Sequence, residues 1–227
     1  MTRILLIRHA HSVANERAIL AGRSAGVVLT SKGAEQAEAL ALRLRDVPIN
    51  KIWSSPLERC HLTIAPLLAA IPNKARPSVE TSEDLSEVDY GNWTGKKLTT
   101  LYRQKLWKVV QNHPSEMYFP EGEGLAQMQL RAMRALRLAA AGKGTQLLIS
   151  HGDVIKSIVA GVLGTHLDNF QKIVIDPASI TVLDFDGSTF RLLTLNNTAS
   201  PITEFVISGS KRKSARALIG GGSGGQV

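Results

Sequence analysis

The sequence is poor in cysteine and contains no long apolar run. Cys60 is the only cysteine among 227 residues, so no disulfide can form within the chain, and a reducing, cytoplasmic environment is expected. No run of about 18 apolar residues occurs, which argues against a transmembrane helix. The first residues lack the basic leader, apolar segment and cleavage site of a secretory signal, so we expect none.

Negative charge is scarce in the last part of the chain. No Asp or Glu follows Glu204, and the formal net charge is +8. Half of this charge lies on Lys211, Arg212, Lys213 and Arg216. A basic protein can attract nucleic acid or a small anion. Because the sequence has no nucleic-acid-binding motif and no interleaved aromatic residues, we expect a small anionic partner, and neither nucleic acid nor a membrane. The oligomeric state is not predicted.

The chain opens with an apolar run, residues 4–7, that ends in Arg8 and His9. Such a run, bounded by polar residues, predicts a strand buried on both faces. Ligands of open α/β sheets bind beyond the carboxyl ends of the strands. A cation and an imidazole therefore stand where a reactive site is expected. One histidine alone is more often satisfied by the backbone, so the prediction of a site needs further groups.

Strand-like and helix-like segments alternate along the rest of the chain. Cap residues and helical spacing predict helices at 30–44, 57–70, 125–141 and from 152 onwards, with Pro56 suited to the first position of the second. Strands are predicted at 52–55, 79–87 and 146–151, and a hairpin at 180–185 and 190–195. The arginines of the helix at 125–141 are expected on its solvent face. This alternation predicts an α/β fold, a three-layer αβα arrangement with a mostly parallel central sheet flanked by helices.

The domain organisation is predicted from the composition and from the positions of turn and loop residues. Residues 1–205 are predicted to form a single domain, with a small, partly helical cap inserted at about 95–124. Residues 206–227 are predicted to be a flexible basic and Gly-rich tail.

Chemically useful residues stand at the ends of four predicted strands. Arg8 and His9 end the first, Arg59 follows the second, Glu87 ends the third and His151 ends the fourth. If these strands are neighbours, two guanidiniums, two imidazoles and one carboxyl group converge. Arginine matches phosphate oxygens with two donors and stays charged, and helix N-termini after Ser55 and His151 would add backbone donors. The pattern predicts a phosphate site.

The ordered motifs resemble the histidine phosphatase superfamily, which includes cofactor-dependent phosphoglycerate mutases. The motifs, in chain order, are Leu6-Ile-Arg-His-Ala10 with Ser12 and Asn15, Leu29-Thr30 with Gly33 and Gln36-Ala37, Ser54-Ser-Pro-Leu57 with Arg59, Leu85 with Glu87, Tyr90-Gly91, Trp93 and Gly95, Pro120-Glu-Gly-Glu123, and Ser150-His-Gly152. The match extends to Phe185 and implies a phosphoglycerate mutase-like fold. Within the superfamily, Cys60, Trp93-Thr-Gly95 and His151-Gly-Asp-Val-Ile-Lys156 resemble an actinobacterial group described as phosphomutases.

The resemblance implies roles for nine residues. His9 would be the nucleophile that forms a phosphohistidine, and Glu87 would protonate the leaving oxygen and later activate water. His151 would be the third catalytic residue and would hold phosphate oxygens. The substrate-binding candidates are Arg8, Ser12, Asn15, Arg23, Arg59 and Gly152. The same cations would lower the pKa of Glu87, so a proton donor there requires burial or another carboxylate, which Asp89 is not expected to supply.

Three residues depart from the family pattern. Ala10 replaces the usual glycine after the catalytic histidine, which predicts altered activity rather than its loss. Glu121 replaces a glycine and Gly124 replaces a frequent serine, both near the approach to the site, so the substrate is left open.

Other sites are less consistent with the residues. His9 and His11 could form a metal pair, but Arg8 would repel a cation. Cys60 lacks the arginine of a Cys-x5-Arg phosphatase loop, because Pro66 holds that position, and it is better explained as a small buried hydrophobe. Gly142-Lys143-Gly144 lacks the spacing of a nucleotide-binding P-loop. A catalytically inactive binding scaffold is the remaining alternative.

These observations predict a metal-independent phosphomonoester hydrolase that acts on a small anionic phosphorylated metabolite. A phosphomutase of the phosphoglycerate mutase type is the alternative, because both reactions pass through a phosphohistidine. No cofactor is expected; 2,3-bisphosphoglycerate would be needed only by a mutase. Arg103, Lys105 and Lys108 of the predicted cap could favour a second anionic group on the substrate.

Overall fold

The computed structural model describes residues 1–206. The predicted tail therefore lies outside the described residues, except Val206, which ends a short helix. The α-helices and strands of the described part are β1 (Thr2–Arg8), α1 (Val13–Glu16), α2 (Ser31–Leu44), β2 (Ile49–Ser54), α3 (Glu58–Ala70), β3 (Ser78–Thr81), α4 (Leu98–Leu101), α5 (Lys105–Asn112), α6 (Leu125–Ala140), β4 (Gly144–Ser150), α7 (Gly152–Val162), β5 (Ile180–Phe185), β6 (Phe190–Asn197) and α8 (Thr203–Val206).

One six-stranded sheet forms the centre of the fold, in the order β3-β2-β4-β1-β5-β6. The four strands from β3 to β1 are parallel, whereas β5 runs antiparallel to β1 and β6 antiparallel to β5. The predicted hairpin is therefore confirmed, and so is the mostly parallel α/β sheet.

Alternate residues of β1 enter two separate cores. Ile4 and Leu6 pack with apolar residues of α6 and α7, and Leu5 and Ile7 pack with those of α2 and α3. Because successive side chains of a strand point to opposite faces, a continuous apolar run is what a sheet covered on both faces requires. The three-layer αβα prediction is confirmed.

The carboxyl ends of three strands meet at one edge of the sheet. Arg8 is in register with Ser150, so β1 and β4 end together. Just beyond, the His9 amide donates to the Ser150 carbonyl over 2.9 Å, and the Ser55 amide donates to the Ile149 carbonyl over 2.9 Å. Parallel pairing thus places the residues that follow β1, β2 and β4 side by side.

Two element predictions are wrong in part. The strand predicted at 79–87 ends at Thr81, and a 3-10 helix at Glu83–Leu85 follows, so Glu87 does not end a strand. The chain turns away from the sheet because Leu85 is fully buried in the core beside α6. Helix α3 begins at Glu58, with Leu57 as its N-cap, so Pro56 lies before the helix rather than at its first position.

The prediction of solvent-facing arginines on α6 is wrong for Arg131. Its side chain is only 12% exposed and pairs with Glu123, whereas the Arg134 side chain is 63% exposed. The reason is tertiary: backbone carbonyls of the segment before Glu87 face this turn of α6 and accept hydrogen bonds from the guanidinium.

The segment predicted as a cap, 95–124, contains α4, α5 and a 3-10 helix at Pro114–Glu116. Trp107 of α5 stacks on Trp93, with ring centroids 6.1 Å apart. The division into one domain with an inserted cap stays a prediction. Among residues 1–206, no helix has both the length and the apolarity needed to cross a bilayer.

Candidate active site

A cavity of about 430 Å³ opens at the edge where β1, β2 and β4 end. Seven of the nine sequence-predicted site residues line it: Arg8, His9, Ser12, Asn15, Arg59, Glu87 and Gly152. His151 lies behind them, fully buried, and Arg23 lies outside the lining. The tertiary structure therefore brings together groups from four separate stretches of the chain.

The tautomer of His9 follows from a single contact. Nδ1 lies 2.8 Å from the Ala10 carbonyl oxygen. Because a carbonyl only accepts, Nδ1 must carry the proton, and Nε2 is left unprotonated. Burial, followed by the charges of Arg59 and Arg8, holds the pKa of His9 well below its usual range. The residue is a neutral imidazole with one free nitrogen lone pair.

His151 has the opposite tautomer. Arg59 Nη2 lies 3.2 Å from its Nδ1, and since a guanidinium only donates, Nδ1 must accept. The proton is therefore on Nε2, which lies 2.8 Å from Ser55 Oγ. Burial, and then the charge of Arg59, holds the pKa of His151 well below its usual range. The two imidazole centroids are 5.2 Å apart.

The two arginines are anchored but keep donors for a ligand. Arg59 is 2% exposed and donates from Nη2 to the Gly22 carbonyl as well. Arg8 donates from Nη1 to the Ile175 carbonyl over 2.6 Å. Its Nε is buried and has no hydrogen-bond partner among the described residues. An unpaired buried donor on a cation is costly unless an anion completes it.

Gly152 allows a close approach to Arg8. A Cβ at this position would lie 3.4 Å from both Nε and Cζ of Arg8. The first residue of α7 therefore leaves the space in front of the unpaired Arg8 donor open. The N-terminus of this helix adds a partial positive charge at the same place.

Ser12 and Asn15 form the N-terminal cap of α1. Asn15 Oδ1 accepts from the Ser12 amide and hydroxyl, at 3.0 and 2.9 Å. These contacts fix the Asn15 side chain through its oxygen and leave the Nδ2 donor for the cavity that the residue lines.

Glu87 has the properties of a carboxylic acid near neutral pH. Oε1 accepts from the Val88 amide over 3.0 Å. Burial raises its pKa to about 7, with a further contribution from the charge of Asp153, against the lowering effects of Arg59 and Arg8. Burial and a second carboxylate, the two conditions stated above, are therefore both met. The second carboxylate is Asp153 of α7, while Asp89 instead accepts from the Gly91 amide.

Five polar residues that line the cavity were not among the predicted site residues: Tyr90, Asp153, Lys156, Gln171 and Asp176. Tyr90 donates from its hydroxyl to Asp153 over 3.0 Å. Lys156 donates to Asp153 over 3.4 Å and to Gln171 over 3.2 Å. Asp153 and Lys156 follow His151 by two and five residues, so they stand on the first turns of the helix that begins there. That position, and the presence of Tyr90, Asp153 and Lys156 in the motifs quoted for the resemblance, were the available signals.

Arg23 and the three basic residues of the predicted cap lie elsewhere. Arg23 donates to the Glu87 carbonyl over 3.0 Å and to Glu123 over 3.1 Å. Arg103, Lys105 and Lys108 are exposed and are not lining residues of the cavity.

The rival chemistries find no geometric support. The His11 imidazole contacts Thr30 Oγ1 over 3.0 Å and His11 lines a second cavity. No group of three His, Cys, Asp or Glu suited to hold a metal ion occurs within residues 1–206. Cys60 is fully buried, and burial raises the pKa of its thiol to about 12, so a thiolate nucleophile is not available near neutral pH.

Ala10, which replaces the glycine of the family pattern, is fully buried. Its amide donates to Thr63 Oγ1 over 2.9 Å, and its carbonyl holds His9. The backbone of this residue thus keeps its contacts with the methyl group in place.

Comparison with known proteins gives the same picture over most of the chain. A sequence profile described as "Histidine phosphatase superfamily (branch 1)" matches residues 4–198. The chain is 27% identical to phosphoserine phosphatase 1 of Hydrogenobacter thermophilus over 93% of this chain and 99% of the relative. It is 29% identical to the 2,3-bisphosphoglycerate-dependent phosphoglycerate mutase of Thermoplasma acidophilum over 84% and 90%. The structure of Bacillus stearothermophilus YhfR superposes with a TM-score of 0.81 at 24% identity, covering 88% of this chain and 98% of that one.

Proposed function

The chain belongs to the histidine phosphatase superfamily, and we propose that it is a phosphomonoester hydrolase that acts through a phosphohistidine on a small anionic metabolite. One observation carries the proposal. The unprotonated Nε2 of His9 shares a cavity with two guanidiniums and with a carboxyl group whose pKa is near 7. A neutral nucleophile, fixed cations and an acid are what phosphate-ester cleavage requires.

In the first step, Nε2 of His9 attacks the phosphorus atom. The P–N bond forms as the bond from phosphorus to the substrate oxygen breaks, and the leaving oxygen takes the proton of Glu87. The negative charge of the phosphoryl oxygens is held by Arg8 and Arg59, with Asn15 assisting. Because these cations are already in place, little reorganisation accompanies the transfer.

In the second step, water replaces the leaving alcohol. Glu87, now ionised, removes a proton from water while the water oxygen attacks phosphorus and the P–N bond breaks. Phosphate leaves, and His9 returns to its neutral form with the proton still on Nδ1. The positive charge that stabilises these steps comes from the protein's own guanidiniums, and the proposed mechanism requires neither a metal ion nor 2,3-bisphosphoglycerate. Ser12, Gly152 and His151 support this arrangement through backbone and side-chain contacts.

The substrate we propose carries a carboxylate as well as the phosphate. Lys156 lines the cavity three residues beyond Asp153 and four beyond Gly152, a rise of about 4.5–6 Å along α7. Two of its three donors face Asp153 and Gln171, which leaves one for a ligand. A phosphorylated hydroxy or amino acid of three carbons spans a comparable distance. The curated relative named for phosphoserine is consistent with this class.

The mutase and binding-only alternatives differ from this proposal in what receives the phosphoryl group. A mutase transfers it to an isomeric acceptor and excludes water, whereas a binding scaffold transfers none. The match to a phosphoglycerate mutase keeps the first alternative testable. The resemblance to an actinobacterial phosphomutase group and the cytoplasmic location also stay predictions.

The test is a substrate panel on the purified protein in the presence of EDTA. Phosphoserine, 3-phosphoglycerate and glycerol 3-phosphate are assayed for phosphate release, and 3-phosphoglycerate also for isomerisation with and without 2,3-bisphosphoglycerate. The proposal predicts release that His9→Ala abolishes and that His11→Ala, at a residue that lines the second cavity, largely retains. Isomerisation without net release would make the protein a mutase. No turnover and no phosphohistidine would favour the scaffold.

A charge variant tests the substrate class. Lys156→Met should lower the ratio of kcat/KM for phosphoserine to that for glycerol 3-phosphate by about tenfold or more, since a charge-assisted hydrogen bond contributes roughly 1.5–3 kcal/mol. Lys172→Met, which removes an exposed lysine bonded to Asn169, is the matched control. An unchanged ratio would contradict the carboxylate contact.

A further inference from the structure

Arg131 of α6 binds the backbone of the segment that carries Glu87. Its Nη1 donates to the carbonyls of Asp84 and Ser86, over 2.9 and 2.6 Å, and its Nη2 donates to the Glu87 carbonyl over 3.1 Å. The side chain is 12% exposed. One partly buried guanidinium thus spans three carbonyls within four consecutive residues.

Glu123 fixes the guanidinium from the other side. Its two carboxylate oxygens accept from Nε and Nη2 of Arg131, over 3.0 and 2.6 Å. Oε1 also accepts from the Asp89 amide over 2.9 Å and from Arg23 over 3.1 Å. Burial alone would raise the pKa of Glu123, but the hydrogen bonds and charge of Arg131 outweigh it and lower the pKa. The carboxylate is therefore ionised and the pair is bidentate.

These contacts hold a stretch that regular structure does not. Residues 86–90 belong to neither a helix nor a strand in the described chain. Just before this stretch, the Ser150 hydroxyl donates a hydrogen bond to the Leu85 carbonyl over 2.7 Å. Arg23 adds a hydrogen bond to the Glu87 carbonyl over 3.0 Å. Besides the burial of Leu85 and Val88 in the core, the position of the Glu87 backbone is thus set by polar side chains that do not line the cavity.

We propose that Arg131 and Glu123, assisted by Arg23, are positioning residues for the proton transfer by Glu87. The inference rests on the proposed hydrolysis and concerns the placement of its acid. A general acid must approach the leaving oxygen to about 2.6–3.2 Å, and a misplacement of about 1 Å costs on the order of a hundredfold in rate. Loss of the Arg131–Glu123 pair loosens the Glu87 backbone while the phosphate-binding groups on β1, α3 and α7 keep their places.

The leaving group distinguishes a positioning role from a merely structural one. An alkyl oxygen needs a proton as it departs, whereas p-nitrophenolate leaves without one. Arg131→Met and Glu123→Gln should therefore lower kcat/KM, which reports cleavage of the ester and not the later hydrolysis of the phosphohistidine, at least tenfold more for glycerol 3-phosphate than for p-nitrophenyl phosphate. The inhibition constant of inorganic phosphate should change less than threefold. Arg137→Met, an exposed arginine of the same helix, is the matched control and should show neither effect.

A double variant makes the assignment specific. Glu87→Gln removes the acid, so in that variant the placement of residue 87 no longer matters. Adding Arg131→Met to Glu87→Gln should therefore lower kcat/KM for glycerol 3-phosphate by less than a further threefold. Arg131→Lys, which keeps the charge but not the fork of donors, should give an intermediate loss on the alkyl ester.

Each outcome decides the inference. Equal losses on the alkyl and aryl esters, no loss on either, or full additivity with Glu87→Gln would overturn it. Should Arg131→Met fail to fold, as judged by near-UV circular dichroism, Glu123→Gln and Arg23→Met carry the same comparison, since Arg23 is exposed and its removal leaves no buried gap. An unsubstituted protein that releases phosphate neither from these esters nor from phosphoserine would refute the proposed hydrolysis instead, which separates the two failures.

Discussion

Oε2 of Glu87 lies 3.8 Å from Nδ1 of His151, a distance at which an ion pair would form only with a protonated imidazole. Burial lowers the pKa of His151 and raises that of Glu87, so near neutral pH a carboxylic acid stands beside a neutral imidazole. Nδ1 already accepts from Arg59. The proton of Glu87 is therefore not taken up by its nearest basic neighbour and is available to a ligand in the cavity.

Hydrolysis of an alkyl phosphate should slow as the pH rises through about 7. Glu87 donates only when protonated, and its pKa in the folded protein is about 7, so the active form is lost above that pH. In Asp153→Asn the negative charge that helps to raise this pKa is gone. The alkaline limb of kcat/KM should then move to lower pH by on the order of one unit.

The measurement is a kcat/KM profile from pH 5 to 9 with one substrate, so that the ionisation of the substrate cancels between variants. Asp46→Asn removes an exposed carboxylate paired with Arg45 and is the control. A limb that stays in place in Asp153→Asn would argue against the effect of this carboxylate on Glu87.

Gly152→Ala should weaken phosphate binding without weakening the fold. The added methyl group would lie 3.4 Å from Nε of Arg8, the donor that has no partner among the described residues. Covering it should raise KM and the inhibition constant of inorganic phosphate about tenfold, near the lower bound for a hydrogen bond to a charged group. Alanine favours a helix over glycine, so the melting temperature should not fall.

Gly161→Ala is the matched substitution in the same helix. Its Cβ would meet the flexible end of Met133 rather than the cavity. An unchanged inhibition constant of inorganic phosphate in Gly152→Ala would mean that Arg8 Nε does not bind the ligand.

Glu121→Gly should stabilise the protein. Glu121 has a φ of 56°, in the left-handed region that costs a residue with a Cβ roughly 1–2 kcal/mol. Glycine removes this strain but adds freedom to the unfolded chain, so a net gain of roughly 0.5–1 kcal/mol in the free energy of unfolding is expected. Urea denaturation measures it. Glu121→Ala keeps the Cβ and should show no such gain; an equal gain would trace the effect to the carboxylate.

Cys60 should be inert towards thiol reagents in the folded protein. Burial raises the pKa of its thiol to about 12, so at pH 8 almost no thiolate exists. Labelling should require denaturant, and Cys60→Ala should retain hydrolysis within about threefold, at a cost of roughly 1 kcal/mol in stability for the lost sulfur. Rapid labelling of the native protein, or loss of turnover in the variant, would reopen a role for this residue.

The residues that flank apolar runs were predictable from the sequence. Arg8, His9 and His151 each follow a continuous apolar stretch, and such stretches become central strands whose ends share one edge of a sheet. Arg59 follows the second strand by five residues and joins them. The local pattern was enough to predict these positions because parallel pairing brings the ends of the strands to the same edge of the sheet.

The position and surroundings of Glu87 were harder to predict from the sequence. The sequence suggested that it ends a strand, but β3 stops at Thr81 and the chain beyond it leaves the sheet. The contacts that hold the segment come from Arg131 and Ser150, more than forty residues away in the chain. Helical spacing assigned Arg131 to solvent because it reports the face of a helix, not what lies against that face.

By itself, the sequence determined the fold class, the family and the strand ends at which the histidines and arginines stand, because apolar periodicity and short motifs are local properties of the chain. Only the tertiary structure decided the protonation states and the support of the acid. The tautomers of His9 and His151 depend on which carbonyl or guanidinium faces each nitrogen. The pKa of Glu87 depends on burial and on Asp153, and both arise only when distant segments pack together.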